Sequence, residues 1–317
     1  MERYNREISK RFVKDYNLPI PILNEEMFEY HLKLYQEEYG TKDKWNNLWK
    51  LIDSRFNGDP EQFISFVYDK RDEIITALGS TDAFQAFNTS KQTNNIPSLN
   101  PRHNSVYIPD NDGKWFLSVD LSCANFNALR YTDENIVLKA KTYKELIEKF
   151  TDIPYIADSK YLRQVIFGKL NPSRHITKEK KMIAYAHTKL ERRGLVSEGM
   201  MECLNTDEVV YSVANRSDGI EIASKIPTFI ERECGFPVKA EVYQINYHEL
   251  FSVSRQKSYW GFYVRDHGYK SEIMSVPLPF HSLVYNLIRF NTYNDEDLYV
   301  PFEKHLMAKL MDSFYIK

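Results

Sequence analysis

Residues 202–213, ECLNTDEVVYSV, set Asp207 and Glu208 directly before the β-branched and aromatic run Val209, Val210 and Tyr211. Apolar, strand-favouring residues flanking a short polar turn read as a hairpin over 195–213, which commits the chain to an antiparallel sheet. Two carboxylates at such a turn are either a solvated loop or half of a site. Which of the two depends on whether a second acid, a cation and a nucleic-acid surface occur elsewhere in the chain.

The rest of the sequence divides around that hairpin. The first 90 residues read as helical: Asn24 is placed to cap a helix that ends at Gly40, with Met27, Tyr30, Leu34 and Tyr35 at helical spacing. A second helix opens at Pro60 and closes at Gly79. The polar, proline-containing stretch from Asn88, NTSKQTNNIPSLNPRHNS, reads as a linker. KWFLSVDLS then reads as a strand around Asp120, followed by helix over 142–150 and over 158–193 with a break near Pro172. Another helix is expected over 218–234, a set of strands from Phe236 to Arg265, and mostly helix in the last forty residues. Strands separated by helical insertions of uneven length give an α+β class. The expected divisions are a helical region over 1–110, a sheet domain over 111–265 with an insertion at about 131–194, and a C-terminal region over 266–317.

The 317 residues are 43% hydrophobic and 27% charged, ordinary for a globular chain. No apolar run approaches the roughly 18 residues of a membrane span. The start, MERYNREISKRFVKDYNL, has no apolar core of a secretion signal, and the three cysteines (Cys123, Cys203, Cys234) have no metal-type spacing. A cytoplasmic protein is expected. The net charge of −2 hides an asymmetry: Lys160 to Arg193 carries ten Lys or Arg against two acids, Glu179 and Glu191. Such a segment is an electrostatic footprint for an anion such as a phosphate chain, and is expected to project as a helix facing a cleft.

Asp120 also ends an apolar strand, so its carboxylate can face Asp207 from a neighbouring strand. Two acids so placed can hold a pair of divalent metals roughly 3.5–4 Å apart, the arrangement of in-line phosphoryl transfer. Oxygen ligands point to magnesium or manganese. In SKYLRQVIFGKLNPSR, Lys160, Arg163, Gln164 and Phe167 stand at offsets 0, 3, 4 and 7, one face of a helix. There the two cations can grip a triphosphate while Phe167 packs on a base, and Gly168 admits close approach. Lys160 can also protonate a leaving pyrophosphate.

In this order the elements resemble the palm of a family B DNA polymerase, closest to the compact protein-primed and phage types. DLSCANFNALR is similar to its motif A at Asp120 and Ser122. The helix from Lys160 through Phe167-Gly168 and KLN is similar to motif B. NTDEVVYSV is similar to motif C at Thr206 and Asp207, and RQKSYWG to the Lys-x-Tyr element. The resemblance spans roughly 112–265. It implies a polymerase-like palm with short helical fingers and a thumb-like C-terminal region, acting as a template-directed nucleotidyltransferase without a proofreading exonuclease. By the same resemblance Asp120, Asp207 and an assisting Glu208 hold Mg2+ or Mn2+, and Lys160, Arg163, Gln164 and Phe167 bind the nucleoside triphosphate. Asn125, where the family has its sugar-discriminating Tyr, and neighbouring Phe126 contact the sugar, which leaves ribose against deoxyribose open. Gly168, Lys257 and Tyr259 contact primer and template. Implied partners are a primer–template nucleic acid, nucleoside triphosphates and a protein docked on the N-terminal helices. Asn205 replaces one motif C acid. That degeneracy keeps a second reading open, a catalytically reduced module that binds nucleic acid or serves assembly.

Overall fold

The computed structural model describes residues 3–91, 99–303 and 306–317. Six helices come first: α1 (Arg6–Asp15), α2 (Glu25–Leu34), α3 (Gln36–Tyr39), α4 (Thr41–Phe56), α5 (Pro60–Gly79) and α6 (Asp82–Thr89). Four of them, α1, α2, α5 and α6, start at a side-chain cap. Asn24 accepts from the Met27 amide and Asp59 from those of Glu61 and Gln62, satisfying first-turn donors. The segment expected as one helix to Gly40 breaks at Tyr35, whose fully buried ring and hydroxyl are drawn to His281 at 2.8 Å. Part of the expected linker, residues 92–98, lies outside the described residues.

The sheet begins with β1 (Trp115–Leu121). Helices α7 (Ala124–Thr132), α8 (Tyr143–Glu148), α9 (Pro154–Asp158), α10 (Lys160–Gly168) and α11 (Pro172–Arg192) follow, then the hairpin β2 (Met201–Leu204) and β3 (Glu208–Val213). Helix α12 (Arg216–Cys234) leads to the long hairpin β4 (Val238–Ser252) and β5 (Lys257–Asp266). The C-terminal elements are β6 (Ser271–Met274), α13 (His281–Phe290), β7 (Tyr299–Pro301), β8 (Met307–Lys309) and β9 (Phe314–Ile316). The main sheet is ordered β2-β3-β1-β4-β5-β6, with β9 on β4, and its pairings are antiparallel. From β1 to β4 the order is the β-α-β-β-α-β arrangement in which the first strand lies between the third and fourth. The coarse α+β reading therefore holds.

Alternation along β1 gives the sheet two unlike faces. Leu117, Val119 and Leu121 join Val209, Tyr211 and Val238 in a core closed by Met182, Ile183, Ala186 and Leu190 of α11 and Ile226 and Ile230 of α12. Helix α12 lies so close that a Cβ on Gly219 would come within 2.9 Å of Val242, which is why glycine stands there. The other face carries Phe116, Ser118 and Asp120; Phe116 is buried against Val106, Val210, Tyr243 and Ile245, and Asp120 at the strand's end is the partly exposed one of the three.

Two expectations change. The N-terminal helices are not a separate region: Ile8, Phe12, Trp45, Phe63 and Ile74 share one core with Phe126, Leu146, Ile156, Leu162 and Phe167 of the β1–β2 insertion. Their apolar faces are thus already covered, which weakens the case for a protein docking there. The last forty residues are not mostly helical; α13 is their single α-helix among the described residues, and β9 extends the main sheet. Alternation of apolar residues in these three-residue strands is too brief to separate them from helix.

A buried histidine pair ties the two ends of the chain together. His31 Nδ1–H donates to the Met27 carbonyl (2.6 Å), and His281 meets the Tyr35 hydroxyl. Tyr30 and Tyr285 pack beside them. Burial pushes both histidines down to about 4, His31 also repelling a proton on His281. The unfolded chain takes up protons near pH 6.5 that the folded one refuses, so this contribution to stability is complete above pH 6.5 and lost as pH falls towards 4. Across that window each site changes stability by up to about 1.4 kcal/mol per pH unit. We expect urea midpoints to fall across that window, and the slope to flatten in a His31→Gln/His281→Gln protein. Equal slopes in the two proteins would refute the assignment.

Candidate active site

Asp120 and Glu208 are directly opposed across β1 and β3, and Lys239 of β4 stands opposite Asp120 on the other side. The β2–β3 turn is closed by Asn205 N–H donating to the Glu208 carbonyl (2.8 Å). Leu121 N–H donates to the Asp207 carbonyl (2.9 Å), which pins the turn to the end of β1. Asp207 thus sits where the ladder ends. Its neighbours in charge are Glu179 of α11, Glu208 and Lys160.

The electrostatics are those of crowded acids. Burial first, then the charges of Asp207 and Glu208, push Asp120 up to about 7, against a smaller opposing effect of Lys239. Burial and Glu179 hold Asp207 above the usual carboxylate range, while Lys160 draws it back. Among the described residues no other side chain donates a hydrogen bond to Asp120 or Asp207. Glu208 is differently placed. Its Oε1 accepts from the Ser118 hydroxyl (2.6 Å), its Oε2 from the Asn205 amide (3.0 Å), and the Arg265 guanidinium lies 3.8 Å away.

Two half-buried carboxylates that no side chain among the described residues hydrogen-bonds are a ligand set for a hard cation such as Mg2+ or Mn2+, and Asp120 and Asp207 fit that role. Glu208, expected to assist, has both oxygens engaged. Among the described residues no group of three or more His, Cys, Asp or Glu side chains is placed to hold a metal. Glu179 is the acid that the sequence did not single out. It is buried beside His175 at 3.4 Å, and the i, i+4 spacing of that pair on α11 was its one signal.

Helix α10 does bring cations towards this corner. Ser159 caps it, and its first residue, Lys160, is exposed and acts electrostatically on Asp207. Arg163 reaches the Cys123 sulfur (3.4 Å) in the turn after β1 and lies 5.7 Å from the Tyr143 ring centroid. Gln164 and Gly168 are exposed, and Asn125 Oδ1 accepts from the Phe126 amide. Lys180, Ile183, Leu204, Asn205, Thr206 and Asp207 line a recess beside the turn.

Other expected contacts are not assembled here. Phe167 and Phe126 are fully buried edge to face, 6.2 Å between centroids, so neither ring can pack on a base or sugar. Offset 7 from Lys160 proves to be the core side of α10, with Leu162 and Ile166. Lys257 pairs with Ser252 at the far end of β4, whereas Asp120 pairs with Lys239. That interval of β4 is roughly 40 Å at about 3.3 Å per residue. Tyr259 packs there on Trp260, Phe280 and Phe314. Neither residue can hold a primer end at the carboxylates. The basic segment is no projection either: α11 packs under the sheet, Lys178 lies 4.9 Å over the Tyr131 ring, and Arg174 binds the Phe87 and Ser90 carbonyls.

No helix among the described residues is long and apolar enough to cross a membrane. Comparison with protein-family models, with curated proteins and with solved structures gives no match in any of the three.

Removing one of two crowded carboxylates relieves repulsion and desolvation when no cation is bound. We expect Asp120→Asn, measured in EDTA, to be more stable than the wild type by about 1–3 kcal/mol, a rise of several degrees in thermal midpoint for part of this sheet. A fall in midpoint would mean that Asp120 has a structural partner.

Proposed function

We propose that the chain is a reduced, polymerase-like nucleotidyltransferase that extends a primer using nucleoside triphosphates. One observation carries the reading: Asp120 at the end of the central strand is pushed up by burial and by the charge of Asp207 in the adjoining hairpin turn, and Lys160 draws Asp207 back from alongside. Bound Mg2+ or Mn2+ would neutralise charge on the transferred phosphoryl group. Asp120 and Asp207 supply the anionic oxygens that position such an ion. Lys160 and Arg163 approach from α10, where an ammonium and a guanidinium suit the β- and γ-phosphates. Lys160 can also hand a proton to the leaving pyrophosphate. The base must be bound by residues other than Phe167 or Phe126.

The second reading, a catalytically reduced module that binds nucleic acid or serves assembly, is favoured by the engagement of Glu208 with Ser118 and Asn205. Primer extension separates the two. Labelled DNA and RNA primers, each on a template with dNTPs or NTPs and Mg2+ or Mn2+, should be extended by the wild type. Asp207→Asn should lose about a thousandfold or more in turnover, since about 4 kcal/mol of transition-state stabilisation corresponds to that factor. Extension that is equal in the two proteins would reject the role of Asp207. Nucleic-acid binding without extension by either protein would establish the second reading.

A further inference from the structure

The side of the sheet that carries Asp120 continues along the β4–β5 hairpin, first through a buried patch of Phe116, Tyr243 and Ile245 covered by Val106 and Tyr107, and past it the character changes. Tyr247 and Tyr263 are cross-strand partners with ring centroids 5.3 Å apart. The Tyr247 ring lies flat on the sheet over Gly261, where a Cβ would come within 2.4 Å of its hydroxyl and 2.7 Å of the ring. Four residues on, about 13 Å along the strand, Phe251 stacks on Tyr315 of β9 at 5.5 Å and 29°. The Lys317 ammonium lies 3.9 Å over the Phe251 ring, and the exposed Arg255 and Lys257 occupy the hairpin tip. Tyr247, Tyr263 and Phe251 are half-buried and Tyr315 is 40% exposed. The core formed with α13 lies on the opposite side of these strands, through Leu250, Phe262 and Val264.

We propose that this face is a binding platform for single-stranded nucleic acid. Rings held flat on a sheet with cations at their margin are what unpaired bases need: π-faces for stacking, and positive charge for the flanking phosphates. Two acids adjoin Tyr247 and both are engaged: Glu249 accepts from its hydroxyl at 3.0 Å and Asp112 from its amide at 2.7 Å. A phosphate chain is therefore kept to the edge where Lys317 lies, and bases are turned towards the rings. A duplex, with its bases already stacked, offers no faces to these rings. The platform deepens the polymerase-like reading, on which it rests for its purpose, by giving an unpaired template strand a second hold about 25 Å or more from Asp120. Its binding does not require catalysis.

Fluorescence anisotropy with a labelled oligo(dT) 20-mer and a duplex of equal length tests the site. The wild type should prefer the single strand. Tyr315→Ala and Tyr247→Ala should each weaken binding about tenfold or more, with circular dichroism confirming the fold, while Tyr247→Phe should bind as the wild type does. Lys317→Glu should weaken binding and reduce the salt dependence by about one phosphate contact. Asp207→Asn should bind normally even where it extends no primer, so failure of the catalytic reading and failure of the platform remain distinguishable. Absence of single-strand preference in the wild type, or unchanged affinity in both alanine variants, would overturn the proposal. So would loss of self-association on Tyr315→Ala without any oligo(dT) binding, which would make the face a protein interface.

Discussion

Everything at the candidate site depends on the pairing register of β1. The strand is held on both sides, by β3 and by β4, and its alternate residues Leu117, Val119 and Leu121 fill the core against α11 and α12. A slip of one residue would turn Asp120 into that core and expose the leucines and valine. Burying an unpaired carboxylate among apolar side chains is far more costly than any local gain, so the register is set by hydrophobic burial. Asp120 is placed by side chains that never touch its carboxylate. The Leu121 amide extends this control to the hairpin turn by fixing the Asp207 carbonyl.

A second constraint orients the cations. Asp15 is completely buried and accepts from Arg11 (2.6 Å), the Tyr155 hydroxyl (2.6 Å) and the Ser159 hydroxyl (2.6 Å). Ser159 is also the cap of α10, accepting from the Leu162 amide. One carboxylate in α1 therefore joins the N-terminal helices to the start of the helix that carries Lys160 and Arg163. Removing it would leave Arg11 buried without its partner, a loss of about 3–5 kcal/mol. The N-terminal helices are in this sense part of the site's scaffold.

Local chemistry was legible in the sequence. The caps at Asn24 and Asp59, the break at Pro172, the hairpin carrying Asp207 and the strand ending at Asp120 all follow from rules that act over a few residues. What could not be read is set by long-range packing. Phe167 shares a helical face with Lys160 in projection, yet the N-terminal core claims it. Lys257 and Tyr259 follow the carboxylates in the chain at a spacing that suits a primer contact, but the length of β4 carries them away. Glu179 became visible only when α11 was laid beneath the hairpin turn.

The proximity of Asp120 and Asp207, two carboxylates that no side chain among the described residues hydrogen-bonds, at a shared corner of the sheet, is the central physical claim. Titration with Mn2+, followed by electron paramagnetic resonance of the free ion, measures it without relying on turnover or on any nucleotide. The wild type should bind Mn2+, Asp207→Asn should bind it at least tenfold more weakly, and Glu231→Gln, at an exposed acid on α12, should match the wild type. Equal Mn2+ affinity in the wild type and Asp207→Asn would contradict the assignment of these carboxylates to a cation.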